Sequence, residues 1–210
     1  MAHNTIRRTT AAVLAAAALL AGVAGCSDKT DEPNVTLTST ADPAFGGPDG
    51  TATAKTPDEQ ARAQALAKVN DFYAVVGKLD SDPALPIEQL GSVAGGPVFD
   101  GWNGDITLRR SMGVKGDGAV TIVSAEVTDT GVPVDAEGKA LPEPAWIHVR
   151  ACTDISTVTW THPDGSPAYD VDRPQYVLAQ LTVRNGDWPD SNGWRVTSDS
   201  ASKYAPCDAP

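Results

Sequence analysis

The stretch Thr56–Leu79, "TPDEQARAQALAKVNDFYAVVGKL", decides the fold. Thr56 is a good N-cap, Pro57 suits the first helical position, and Glu59 completes a T-x-x-E capping box. Asp58 and Glu59 also favour a helix N-terminus. Leu66, Val69, Phe72, Tyr73, Val76 and Leu79 recur at spacings of three and four, which makes one apolar face. The pattern predicts a long amphipathic helix, with Phe72 and Tyr73 in the core. A helix of this kind needs a partner layer for its stripe.

That layer lies downstream. "SDPALP" and Gly95-Gly96-Pro97 break the chain, with a short helix expected over Ile87–Ala94 between them. Val98–Ser111 reads as an irregular third helix weakened by its glycines. From Gly118 the pattern turns to strands. "AVTIVSAEVTD" (Ala119–Asp129) is rich in β-branched residues, and "AWIHVRACTD" alternates. Trp146, His148, Arg150, Cys152 and Asp154 share one face of the latter; Ile147, Val149 and Ala151 share the other. "STVTWT", the turn "HPDG", the strand "QYVLAQLTVRN" and the terminal "WRVTSDS" complete the series. Helices followed by antiparallel strands predict an α+β roll over residues 57–210, with the N-terminal helices on a curved sheet.

The preceding residues have a different character. Arg7 and Arg8 lead into the uncharged run Ala11–Gly25, too short for a spanning helix of about 20 residues. A basic start, a short apolar middle and a small-residue exit match a signal peptide over residues 1–25. The alternatives are a permanent anchor helix and a weak twin-arginine signal. Val23-Ala24-Gly25-Cys26 resembles the lipobox of bacterial lipoproteins. The resemblance implies cleavage before Cys26 and lipidation of its sulfur, with palmitate-type acyl chains holding the protein on the outer face of the cell membrane. Two or more chains give stable anchoring. Residues 26–56, rich in Thr, Asp, Pro and Gly, read as a disordered tether.

The formal charge is −11, or about −13 without Arg7 and Arg8. That excludes nucleic acid as a partner, since binding it needs a basic stripe. No calcium loop, P-loop, G-x-S-x-G or dinucleotide fingerprint is present, so neither cofactor nor metal is expected. With Cys26 taken by lipid, Cys152 and Cys207 remain, and extracellular thiols tend to pair. Two free buried thiols are the alternative. No C-x-x-C or nearby base supports a catalytic cysteine.

The first helix, "VRACTD" with "HPDGSPA", "RPQYVLAQLTV" and "GWRVTSDSASKYAPC" together resemble the NTF2-like (SnoaL/ketosteroid-isomerase-like) superfamily. More narrowly, they resemble secreted actinobacterial lipoproteins with one such domain. The resemblance implies a cone of helices wrapped by a bent sheet, a pocket inside the cone, and a Cys152–Cys207 bridge. It implies no particular activity, because these folds host enzymes and inert partners alike.

Candidate pocket residues are His148, Asp154, Trp146 and Tyr176. An aspartate–histidine pair suits general-base work. Here, however, His148 and Asp154 are six residues apart, about 20 Å along a strand, and cannot touch without a bend. A turn-organising role for Asp154 is the simpler reading. His162 precedes a proline in a turn and reads as solvated. Trp102, Trp146, Trp160 and Trp194 read as core, and Trp188, inside "GDWPDSNG", as the best surface candidate. The expected function is a non-catalytic binding or accessory module for a partner protein or small apolar ligand. The alternatives are a small-molecule isomerase or cyclase-like enzyme and a structural envelope protein.

Overall fold

The computed structural model describes residues 54–200 and Cys207. The expected signal peptide, Cys26 and most of the expected tether lie outside the described residues. Among those described, no helix is long and apolar enough to cross a membrane.

Helix α1 runs Pro57–Ser81 and is capped as the sequence predicts. The Thr56 hydroxyl accepts from the Glu59 amide at 3.2 Å, and the Glu59 carboxylate accepts from the Thr56 amide at 2.8 Å. The Thr56 amide and the Thr56 hydroxyl both donate to the Glu59 carboxylate, which holds that carboxyl below its ordinary value. The helix buries Ala61, Ala65, Val69, Phe72, Tyr73, Val76 and Leu79. Its C-terminal carbonyls are met by a cation, the favourable charge at that end of a helix. Arg110 Nη2 donates to the Leu79 carbonyl at 2.8 Å, and Nη1 reaches past the helix to the Leu85 carbonyl at 3.0 Å.

A 3₁₀ turn, Ile87–Ser92, leads into α2, Gly96–Ser111. The sequence predicts an irregular helix here, but α2 is continuous. Gly101 and Gly104 face open space, where they cost propensity without breaking the helix, while Val98 and Ile106 are buried.

The main sheet is four-stranded and antiparallel, in the order β2 (Thr121–Gly131), β3 (Ala145–Asp154), β5 (Tyr176–Asn185), β6 (Trp194–Asp199). Two register shifts in the β2–β3 pairing, between Ile122 and Ser124 and between Val127 and Asp129, mark irregularities of the kind that bend and twist a strand. The free edge of β6 is covered by the chain entering α2. The Gly95 amide donates to the Val196 carbonyl at 2.9 Å, and the Val196 amide to that of Val93 at 2.8 Å. Such cover blunts an otherwise sticky edge.

A second, two-stranded sheet pairs β1 (Lys115–Asp117) with β4 (Thr159–Thr161). It comes close to the end of α1. A Cβ on Gly116 would sit 2.7 Å from the Asp80 Cβ, so only glycine allows this approach.

One face of the main sheet meets the helices. Ile147, Val149 and Ala151 of β3, and Ala179, Leu181 and Val183 of β5, join Phe72, Leu79 and Leu90 in one core. The α+β class, with helices packed on antiparallel strands, is thus what the sequence predicts.

Trp188 is a correction. It is 2% exposed rather than on the surface, and packs edge-on against Trp194 with ring centroids 5.8 Å apart. The polar turn that carries it is held inward by the fully buried Asn185. That side chain donates to the Asp190 carbonyl at 2.6 Å and accepts from the Asp187 amide at 2.9 Å.

Candidate functional site

Between α1, α2, the inner face of the main sheet and the small sheet lies a cavity of about 570 Å³. A volume of that size is ordinary for a small-molecule site. Each wall comes from a different element. Helix α1 contributes Tyr73, Val76, Gly77 and Asp80; α2 contributes Trp102, Asp105 and Arg109. The main sheet supplies Thr153, Val177, Ala179 and Asp199, and Val120 lines the cavity just before β2. The small sheet and the loops on either side of β4 supply Val158, Trp160, Tyr169, Asp170 and Arg173.

The apolar part follows from strand alternation. Val177 and Ala179 point to the helices on the same face as Leu181 and Val183, and also line the cavity. Thr153 also faces inward, and its hydroxyl donates to the Val177 carbonyl at 3.0 Å, so its polar atom is satisfied.

The polar part is organised around Asp80. Arg109 donates to it through Nε at 2.9 Å and Nη2 at 3.1 Å, and the Trp160 indole donates at 3.2 Å. This links α1, α2 and β4 through one carboxylate. Arg173 sits over the Tyr169 ring at 4.2 Å and over the Trp160 ring at 5.2 Å, while Arg109 lies 5.5 Å from the Trp160 ring. Arg173 Nη2 also donates to the carbonyls of Ile155 (3.2 Å) and Val158, which ties the 168–173 loop to the cavity wall.

Tyr73 is the most deeply placed ionisable group of the site. Burial pushes its phenol well above the ordinary tyrosine range, and the nearby Asp199 charge adds to the effect. Its hydroxyl is therefore a neutral hydrogen-bonding group, not a base.

The four residues selected from the sequence lie elsewhere, and this is the main correction to the pocket. Trp146 and His148 do come together, with ring centroids 4.6 Å apart, but on the sheet face turned away from the helices. His148 borders a separate groove of about 370 Å³. Asp154 ends β3 and accepts from the Ser156 amide at 2.8 Å. Hydrogen bonds from the Ser156 hydroxyl and amide keep its carboxyl below the usual range, so it organises a turn. Tyr176 is its register partner on β5. The reason is one of faces. Alternation separates Trp146 and His148 from Ile147 and Val149, but the helices cover the aliphatic side.

Cys152 and Cys207 form a disulfide, with Cα atoms 5.8 Å apart across 55 residues. Cys152 shares the outer face with Trp146 and His148, so the bridge lies on the side opposite the cavity.

The missed residues, Asp80, Arg109, Trp160 and Arg173, come from four separate segments. An isolated arginine two residues after "YDV" carries no local pattern that marks it as a site.

No family model matches the chain, and no curated protein matches it. Among solved structures, the intermembrane space region of the chloroplast protein ARC6 is similar. It is 19% identical, with a TM-score of 0.46, and the match covers 67% of this chain and 95% of that one. The functional reading rests on the site itself.

Proposed function

We propose that this chain is an extracytoplasmic lipoprotein, anchored through Cys26, whose NTF2-like domain is a non-catalytic binding module for a small apolar ligand. The observation that carries the binding part is the 570 Å³ cavity with its valine, alanine and tryptophan walls. Helices laid on one face of a bent antiparallel sheet are what an NTF2-like cone requires. The anchor rests on "LLAGVAGCSDK", Leu19–Lys29, where a lone cysteine ends an apolar run.

The polar groups argue for binding rather than catalysis. Asp80 is held by a guanidinium and an indole, an arrangement that builds a wall and leaves a poor base. One observation favours the isomerase or cyclase-like alternative: Asp199 and Tyr73, a carboxylate and a neutral phenol, lie close together at the cavity. A carboxylate and a phenol together can serve as an acid–base set.

Titration with the neutral fluorophore N-phenyl-1-naphthylamine tests the module. Binding at one site is expected, abolished by Gly77→Trp. Gly77 lines the cavity, and a Cβ there meets nothing nearer than the Gly118 carbonyl at 3.9 Å, so the indole has room to enter. Asp199→Asn should leave binding of the probe intact. Absence of binding, or binding unchanged by Gly77→Trp, contradicts the module. For the anchor, Cys26→Ser should release the protein from membranes or leave it unprocessed; unchanged membrane association contradicts it.

A further inference from the structure

We infer that the ligand of the cavity is a small organic ammonium: an apolar body carrying a positively charged nitrogen with at least one N–H. This rests on the cavity reading above and adds the charge and hydrogen-bonding class of the ligand.

Two independent observations carry it. The first is Tyr73. Its side chain lines the cavity and is only 8% exposed, yet its hydroxyl has no hydrogen-bond partner among the described residues. The hydroxyl opens onto the cavity, and a ligand that displaces water from it must give it a new partner, because burying it unmet is costly. A ligand N–H donating to the phenol oxygen supplies the missing partner.

The second is charge. The lining holds five aspartates against two arginines, and one of those arginines, Arg109, is already engaged with Asp80. The balance stays negative with Asp199 left aside. The chain as a whole is at −11, so its long-range field also draws cations. Arg173 is engaged as well, lying over Tyr169 and Trp160 at 4.2 and 5.2 Å with its Nη2 donating to the Ile155 and Val158 carbonyls. An anionic ligand anchored on Arg173 is the competing arrangement. It would have to approach past Asp170, which also lines the cavity.

The test uses the purified full-length chain and four probes of one chain length: octylammonium, octyltrimethylammonium, octanoate and 1-octanol. Intrinsic tryptophan fluorescence is a suitable readout, since Trp102 and Trp160 line the cavity. Octylammonium should bind about tenfold tighter than octanoate at low salt, with the gap narrowing near roughly 0.5 M salt. Tyr73→Phe removes only the hydroxyl. It should weaken octylammonium about fivefold and leave octyltrimethylammonium, which has no N–H, within about twofold. Gly77→Trp should abolish binding of all probes.

Octanoate or 1-octanol binding as well as octylammonium overturns the charge inference and leaves the cavity reading standing. Equal loss of both ammonium probes in Tyr73→Phe overturns the hydrogen bond. Binding that survives Gly77→Trp is adsorption to an acidic surface and overturns the proposal. If none of the four probes binds while N-phenyl-1-naphthylamine does, the ammonium inference falls and the cavity reading stands.

Discussion

Asp80 on α1 and Arg109 on α2, 29 residues apart, meet in a two-point ion pair, with Nε to Oδ1 at 2.9 Å and Nη2 to Oδ2 at 3.1 Å. The side chains are only 9% and 20% exposed. The pair fixes the angle between the two helices that wall the cavity, and through the Trp160 indole it fixes the small sheet as well.

Breaking one side leaves a mostly buried charge without its partner, which is the costly outcome. Asp80→Ala should destabilise the fold by about 2–4 kcal/mol. The double variant Asp80→Ala/Arg109→Ala should cost less than the sum of the singles, by about 1–3 kcal/mol. Urea denaturation of the four proteins checks this; additive costs would show that the pair is not coupled.

Two glycines should respond in opposite ways. Gly104 lies in α2 with nothing within 4 Å of a built Cβ, so Gly104→Ala should stabilise by about 0.5–1 kcal/mol. A Cβ on Gly116 would stand 2.7 Å from the Asp80 Cβ and 3.2 Å from its backbone carbonyl. Gly116→Ala should therefore destabilise by more than about 1 kcal/mol and loosen the cavity. Thermal melts of the two variants decide the signs.

The Cys152–Cys207 bridge closes a loop across 55 residues. On the chain-entropy account its loss costs about 4 kcal/mol. Cys207→Ser should lower stability by up to that amount while leaving cavity ligands bound, because the bridge lies on the outer sheet face. Chemical denaturation with and without a thiol reductant measures it. A loss of binding with stability unchanged would contradict this placement.

Tyr73 gives the fold a pH limit at the alkaline end. Its phenol is raised above the ordinary value of 10.0 by burial, then by Asp199. The unfolded chain therefore ionises first, and stability falls as pH rises past about 10, by up to about 1.4 kcal/mol per pH unit. Below that value the group is neutral in both states and adds no slope. Tyr73→Phe should flatten this loss. Urea midpoints at pH 9 and pH 10.5 for the two proteins are the check; equal losses would contradict the assignment.

The sequence was most legible where one local pattern determines one element. Thr56, Pro57 and Glu59 mark the start of α1, and the stripe from Leu66 to Leu79 marks its buried face, because capping and periodicity are local. Strand β5 was read for the same reason: Val177, Ala179, Leu181 and Val183 are all buried. The site was not legible. Alternation divides β3 into two faces but does not say which one the helices cover, so the aromatic face of Trp146 and His148 attracted a pocket that lies on the other side. Trp188 was misplaced because its turn is polar in sequence, and only Asn185 at its base turns the ring inward. Asp80, Arg109, Trp160 and Arg173 become a cluster only after the small sheet folds against α1.

The central claim is that the cavity between the helices and the sheet is where this protein binds. Amide and indole NMR shifts of the labelled chain, followed during titration with N-phenyl-1-naphthylamine, test it most directly. The account predicts perturbations concentrated at Tyr73, Gly77, Trp102, Trp160, Val177 and Ala179. Perturbations confined to Trp146, His148 and Arg150 on the outer face, or no perturbation at all, would contradict it.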